Sequence, residues 1–234
     1  MVQKNKLKST TTTTGVRKKQ LDIPSPQALT EEQKKVFQSM KDNTVTFITG
    51  PAGCGKTYIS VSQALHDYSK NRYKKIIMTR PAVEAHGEHL GFLPGDACDK
   101  LAPYMMPIMD VMESYLEENF INTMIKKNEL ITIPLAFQRG LTFKDAFVIF
   151  DEAQNTTRDQ MRMFLTRIGD NCKVVVSGDL RQKDRMGGIN GLHHATNILK
   201  NVDNVGIVKL TEKSIVRSSL VADIEARYNE EEEL

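Results

Sequence analysis

The chain has 234 residues, of which 40% are apolar and 26% charged, and its formal net charge is +3. This length suits one α/β domain with a small insertion, but not two full domains. No apolar run approaches the ~20 residues that span a membrane, the N-terminus has no apolar signal-peptide core, and the three cysteines are far apart. We therefore expect a cytoplasmic protein (in the host cytoplasm if the source is viral) without disulfides.

The first predicted segment is a basic, flexible tail at residues 1–26. Residues 1–20 contain six lysines and arginines and no acidic residue, so the other 214 residues carry a net charge of −3. The Thr-rich, low-complexity composition cannot pack a core. Such a tail either contacts a nucleic-acid backbone or only keeps the protein soluble, and the sequence favours neither role. At the opposite end, residues 229–234 form an acidic tail.

Residues 27–228 are predicted to form one domain of alternating helices and strands. An amphipathic helix begins at Thr30, and most later strand candidates are continuous apolar runs, typical of strands buried on both faces. The candidates are residues 45–49, 75–79, 129–133, 146–150, 173–177 and 206–210. Helices between them predict an α/β fold, with a mainly parallel sheet and helices on both faces.

A loop followed by a Met-rich helical stretch interrupts this alternation at 82–128. We predict a small helical insertion whose methionines mostly pack in the core, although they could instead form an adaptable contact surface. His86 and His89 lie in its loop with no further ligand in view, so we predict no zinc site there.

The strand at 45–49 leads into GPAGCGKT, which matches G-x-x-x-x-G-K-[ST] at every fixed position, and a helical pattern follows. Glycines in this loop let backbone N–H groups converge on an anion at the helix N-terminus. We expect Lys56 to contact the β- and γ-phosphates of ATP and the Thr57 hydroxyl to hold Mg²⁺. The predicted nucleotide-binding residues are Gly50, Pro51, Ala52, Gly53, Cys54, Gly55, Lys56, Thr57 and Tyr58.

A second motif, Asp151-Glu152-Ala153-Gln154, follows the strand at 146–150. Asp151 is placed to hold the metal through water, and Glu152 is the natural general base for an attacking water. An acidic helix N-cap would look the same in isolation. Pairing with Lys56, about 95 residues upstream, makes the N-cap the minor interpretation. A small-molecule kinase would rarely need the second carboxylate and would usually carry an Arg-rich lid, which is not evident in the sequence, so ATP hydrolysis is favoured. Because both motifs follow strands, we expect them at one edge of the sheet.

These motifs, with TRP at 79–81 and SGDLRQ at 177–182, occur in the order found in the first motor domain of superfamily 1 helicases. LGFLPGD at 90–96 and DEAQNTT at 151–157 make the chain resemble the PhoH family of P-loop ATPases over about residues 27–228. The resemblance implies a RecA-like P-loop NTPase fold. Two departures are an extra residue near His86 and Ser218-Ser219, where the family usually has His-Pro.

The resemblance also implies roles for individual residues. Gln182 corresponds to the glutamine that senses the γ-phosphate, and Arg217 to a finger arginine that stabilises transition-state charge. Gln33 corresponds to the glutamine that reads the adenine edge, with a solvated helix residue as the alternative. Arg80 could contact a phosphate of nucleic acid or of nucleotide, or form a surface salt bridge. Arg139 is a weaker candidate for a phosphate or interface role.

Related helicases place ATP between two motor domains, whereas this chain has one. If Arg217 must come from across the nucleotide, a neighbouring subunit supplies it, so we expect a head-to-tail homo-oligomeric ring, hexameric as the resemblance implies. The main hypothesis is an Mg²⁺-dependent ATPase coupled to RNA or single-stranded DNA, although no aromatic stacking platform is evident. The alternative is an ATP-switched assembly or regulatory module with slow hydrolysis and no nucleic-acid substrate.

Overall fold

The computed structural model describes residues 21–81, 102–181 and 190–216, together with Arg227. Within these residues one sheet contains six parallel strands in the order β3-β2-β4-β5-β1-β6. The strands are β1 (Val45–Thr49), β2 (Lys75–Thr79), β3 (Leu130–Thr132), β4 (Ala146–Phe150), β5 (Cys172–Gly178) and β6 (Val205–Lys209). The helices are α1 (Glu31–Asp42), α2 (Lys56–Ser69), α3 (Ala102–Tyr115), α4 (Glu118–Lys126), α5 (Arg158–Leu165) and α6 (Gly191–Ile198).

Local sequence explains where the first and fifth helices begin. The Thr30 hydroxyl accepts the N–H of Gln33 and thereby caps α1. At α5, Thr157 and Gln160 form a reciprocal capping box, in which each side chain accepts from the other residue's backbone N–H. Both arrangements satisfy N–H groups that a helix N-terminus leaves without intrahelical partners.

Helices cover both faces of the sheet, because successive strand residues alternate between two cores. On β4, Phe147 and Ile149 face a core shared with α1, α2, α3 and α4, whereas Val148 and Phe150 face a core shared with α5 and α6. Every residue of β1 and β4 is buried, while the edge strand β6 is half-exposed. The predicted doubly covered parallel sheet is therefore confirmed.

The strand order brings the predicted motifs to one edge of the sheet. Strand β5 lies between β1, which precedes the phosphate loop, and β4, which precedes Asp151. The carboxyl ends of parallel strands share an edge, so Gly50, Thr79, Asp151 and Gly178 meet there. The structure therefore places the predicted motifs at one edge of a parallel α/β sheet, as expected.

Helices α3 and α4 are the described part of the predicted insertion, and residues 82–101 lie outside the described residues. Met112 and Met124 are fully buried in the core, as expected, whereas Met106 is exposed. The domain and tail boundaries stay predictions. None of the helices in the described part of the chain is both long and apolar enough to cross a bilayer.

Candidate functional site

The loop between β1 and α2 ends in a helix N-terminus that suits an anion. Gly55, the residue before α2, has a φ of 82°, in the left-handed region that favours glycine. No side chain caps α2, and its first turn contains no acidic residue. The N–H groups of this turn and the positive end of the helix dipole are therefore available to phosphate oxygens.

The ammonium group of Lys56 folds back over this loop. Its Nζ donates to the carbonyl oxygens of Gly50, at 2.7 Å, and Pro51, at 2.8 Å. Phosphate oxygens are stronger acceptors for an ammonium group than carbonyls, so a nucleotide can compete for these donors. Burial raises the pKa of the Cys54 thiol, which donates to the Pro51 carbonyl, so Cys54 is a neutral packing residue of the loop.

Thr57 and Asp151 are 94 residues apart in sequence but form a hydrogen bond. The Thr57 hydroxyl donates to Asp151 Oδ2 at 3.0 Å, and the Ser177 hydroxyl donates to Asp151 Oδ1 at 2.7 Å. The Asp151 side chain is 1% exposed. Hydroxyl and carboxylate oxygens are the ligands that a hard cation prefers, so Thr57 and Asp151 fit Mg²⁺.

Glu152 adjoins this pair and is held through both carboxylate oxygens. Its Oε1 lies 3.1 Å from Arg80 Nη2, and its Oε2 accepts from Gln154 Nε2 at 2.6 Å. The Glu152 backbone has a φ of 55°, a conformation that costs a non-glycine residue about 1–2 kcal/mol. The side chain remains 40% exposed, so water can reach it.

Arg80 does form an ion pair, but not one on the surface. Its guanidinium is 14% exposed and lies 3.4 Å from Asp151 Oδ2 as well as 3.1 Å from Glu152 Oε1. Arg80 follows β2, which is adjacent to β4 in the sheet, so the strand order places it beside both carboxylates. A contact with phosphate stays a prediction for this residue.

The side chain of Gln154, for which the sequence indicated no role, links the ends of β4 and β5. Besides donating to Glu152, it accepts the backbone N–H of Asp179 at its Oε1, at 3.1 Å. It is 3% exposed, and a Cβ added to Gly178 would lie 2.5 Å from Oε1. The requirement for glycine at 178, directly across from a buried glutamine, was not visible in the sequence.

Gln33 is not a solvated helix residue, because it is 3% exposed and bonded to the phosphate loop. Its Nε2 donates to the Cys54 carbonyl at 3.2 Å, and its Oε1 accepts from Leu29 N–H at 2.8 Å. That alternative was wrong. Its predicted contact with adenine stays a prediction.

Glu32 of α1, the residue before Gln33, forms hydrogen bonds with the segment after β6. Its carboxylate accepts from the Ser214 hydroxyl and from both the N–H and hydroxyl of Thr211. These bonds, with that from Ser214 the largest, lower the pKa of Glu32 to about 2. Farther along, Val216 N–H donates to the Gly53 carbonyl of the phosphate loop at 3.2 Å.

The remaining predicted residues are dispersed or lie outside the described residues. The Tyr58 hydroxyl bonds to that of Tyr115 at 2.6 Å, which joins the start of α2 to the end of α3. Burial, followed by this bond, raises the pKa of Tyr115. Arg139 lies on an exposed turn after β3. Gln182 and Arg217, as well as His86 and residues 218–219, are among those not described.

Residues 26–229 match the family model described as PhoH-like protein. A PhoH-like protein of Mycobacterium tuberculosis is 44% identical over 205 residues, covering 87% of this chain and 58% of that protein. A PhoH-like protein of Bacillus subtilis is 44% identical over 200 residues, covering 85% and 62%. Protein PhoH of Escherichia coli is 39% identical over 209 residues, covering 88% and 59%. The chain thus spans about three fifths of the length of these relatives.

Similar solved structures are more distant. The Sulfolobus solfataricus SWI2/SNF2 ATPase core in complex with dsDNA is 13% identical with a TM-score of 0.47, covering 84% of this chain and 47% of that one. The Pif1 helicase of Candida albicans is 14% identical with a TM-score of 0.39, covering 80% and 41%. Likeness at this level implies nothing about what the present chain binds.

Proposed function

The chain belongs to the PhoH family, and from that premise we propose that it is a cytoplasmic, Mg²⁺-dependent ATPase whose hydrolysis is coupled to RNA or single-stranded DNA. The observation that carries the ATPase proposal is the contact between Thr57 and Asp151 next to a partly exposed Glu152. A phosphate loop alone would support binding only. A restrained carboxylate that water can reach supports hydrolysis as well.

Each of these residues has a distinct role in the proposed reaction. Lys56 and the loop N–H groups bind the β- and γ-phosphates, while Thr57 and Asp151 hold Mg²⁺. When bound, this ion neutralises charge on the phosphates. A Glu152 oxygen accepts a proton from the water that attacks the γ-phosphorus, and ADP leaves. Gln182 orients that water in this proposal.

Replacement of Glu152 by glutamine tests hydrolysis directly. The amide keeps the size of the side chain but cannot accept the proton, so turnover should fall at least ~100-fold. The dissociation constant of ATP, measured with a fluorescent analogue, should change less than about threefold. Glu118→Gln at the exposed start of α4 is the matched control and should behave as wild type. Wild-type turnover by Glu152→Gln would mean that another group is the base.

The nucleic-acid half of the proposal is tested by turnover with and without single-stranded RNA and DNA at two salt concentrations. Stimulation that weakens as salt rises is expected, because phosphate contacts release counterions. We also propose a homo-oligomeric ring, hexameric in the simplest case, with Arg217 supplied by the adjacent subunit. Light scattering tests the ring. Mixing two inactive variants, Glu152→Gln and Arg217→Ala, tests the trans arginine, because mixed rings regain activity only if an intact Glu152 site receives Arg217 from the adjacent subunit.

An ATP-switched assembly module is the second candidate function. The bond between Tyr58 and Tyr115 favours it, because the helix that begins at the phosphate loop thereby contacts the described part of the insertion. Slow turnover indifferent to nucleic acid, together with ATP-dependent oligomerisation, would support this module over the nucleic-acid-coupled ATPase.

A further inference from the structure

The turn that follows β3 presents an aromatic ring to solvent. Phe137 is 63% exposed, although its neighbours Leu135 and Gln138 are fully buried. Gln138 Nε2 also donates to the Ile133 carbonyl, which ties the turn to the end of the strand. The backbone of the turn is therefore anchored on both sides of Phe137, and the exposed ring is held at a defined place.

An exposed arginine lies two residues from this ring. Residues 130–141, which lead from β3 through the turn, include Arg139 and no acidic residue. Arg139 is exposed, and none of the described residues forms an ion pair with it. Arg167 lies against the same stretch, where its guanidinium donates to the backbone carbonyls of Leu141 and Met163. The Arg139 guanidinium is thus left to attract an external anion.

The turn is also connected to the proposed catalytic carboxylates. Leu135 N–H lies 3.4 Å from the carbonyl oxygen of Arg80, whose guanidinium contacts Glu152. Four strand spacings separate β3 from β1, so the turn lies about 19 Å from the strand that precedes the phosphate loop. The aromatic surface is therefore separate from the nucleotide phosphates but lies on the same edge of the sheet as Glu152.

We propose that Phe137 stacks on a base of single-stranded nucleic acid while Arg139 binds an adjacent phosphate. This inference rests on the proposed function and deepens it by naming the surface that binds the strand. An exposed aromatic ring near an exposed arginine matches the two parts of a nucleotide, a flat base and an anionic phosphate. No aromatic stacking platform was evident in the sequence, but one anchored ring suffices for a base.

Binding of labelled oligo(U) and oligo(dT), followed by fluorescence anisotropy without ATP, tests the surface apart from hydrolysis. Phe137→Ala should weaken binding by about 5- to 100-fold, whereas Phe137→Trp should retain it. Arg139→Gln should reduce the slope of log affinity against log salt by about 0.7. Comparison of the two oligonucleotides distinguishes RNA from DNA as the ligand.

Matched controls lie beside β6, the edge strand on the other side of the sheet from β3, where α6 ends before β6. Ile198 is 62% exposed, close to the value for Phe137, and Lys200 is an exposed cation. Ile198→Ala and Lys200→Gln should bind both oligonucleotides as wild type does. Circular dichroism and Tm establish that each variant is folded.

Three other results would contradict the proposed stacking role of Phe137, and each can be distinguished from the others. Wild-type binding that Phe137→Ala leaves unchanged would refute the stacking role while leaving the proposed coupling intact. An ATPase that binds neither oligonucleotide would refute both this inference and the coupling. A Phe137→Ala variant that alters the oligomeric state, with oligonucleotide affinity per subunit unchanged, would instead identify the ring as a subunit contact.

Discussion

Replacing Gln154 by leucine is expected to slow ATP hydrolysis without weakening ATP binding, because Gln154 is a positioning residue for Glu152. Its Nε2 restrains Glu152 Oε2 at 2.6 Å, while its Oε1 is fixed by the backbone N–H of Asp179. Glu152 has an unfavourable left-handed backbone, so its side chain depends on such restraints. In the leucine variant Arg80 remains at Oε1, but Oε2 loses its donor.

The Gln154→Leu substitution is expected to have two separate costs, one in the rate of hydrolysis and one in stability. Misplacement of a reacting group by about 1 Å costs on the order of 100-fold in rate, so kcat should fall roughly 10- to 100-fold. The Asp179 N–H, in a residue that is 7% exposed, loses its acceptor, at a cost of about 1–3 kcal/mol. For a domain of this size, that corresponds to a decrease in Tm of roughly 2–12 °C.

Single-turnover hydrolysis, fluorescent ATP binding and thermal unfolding separate these two effects. Gln138→Leu is the matched control, because Gln138 is also buried and donates to a backbone carbonyl but lies outside the contacts of Glu152. It should lose less stability than Gln154→Leu, because the buried Oε1 of Gln138 has no partner among the described residues, and it should keep its basal turnover. If Gln154→Leu lowers Tm but hydrolyses ATP within about twofold of wild type, Gln154 is structural and the positioning argument is wrong.

Two further substitutions probe the same architecture. Gly178→Ala should reproduce the slow turnover of Gln154→Leu, because its Cβ would lie 2.5 Å from Gln154 Oε1 and 2.6 Å from Leu192 Cδ2; wild-type kinetics would contradict this steric argument. Glu32→Gln should lower Tm at neutral pH, and the difference from wild type should shrink as pH falls from the ordinary carboxyl pKa of 4.5 towards 2. The sign follows because hydrogen bonds from Ser214 and Thr211 lower the pKa of Glu32 in the folded state. The stabilisation from these bonds is therefore fully present above pH 4.5 and is lost as Glu32 becomes protonated. A Tm difference between Glu32→Gln and wild type that does not change with pH would refute this assignment of the pKa shift.

The strands were predictable because most of them are buried on both faces. The runs at 45–49, 75–79 and 146–150 coincide with the observed β1, β2 and β4. Continuous apolar sequence is required where helices cover both sides of a parallel sheet, so the pattern identifies the strand and its limits together. The edge strand β3 is two residues shorter than the predicted run 129–133, since fewer neighbours there sustain the ladder.

The positions of the candidate site residues in the fold were predictable where a motif defines backbone geometry, and not where a side chain determines the contact. The loop at 50–57 and the pair at 151–152 were located by their order after strands. The environment of Gln33 depends on how α1 packs against a loop 21 residues away, and nothing in the sequence indicates that its amide bonds to the Cys54 carbonyl. The exposure of Phe137 likewise depends on the anchoring of its turn, because most isolated aromatic residues in such a sequence are buried.

The two adjacent carboxylates illustrate what the fold adds to a motif. Asp151 and Glu152 have the same functional group, but Asp151 is 1% exposed and receives hydroxyl donors at both oxygens, whereas Glu152 is 40% exposed. A buried, fully coordinated carboxylate suits a fixed cation, and an accessible one suits proton transfer from water. The two carboxylates differ because of the backbone after β4, which ends at Phe150. Asp151 is within hydrogen-bonding distance of the Thr57 and Ser177 hydroxyls, whereas the left-handed backbone of Glu152 directs the Glu152 side chain outwards. Arg80 contacts both carboxylates and therefore connects the proposed metal-binding position to the proposed base.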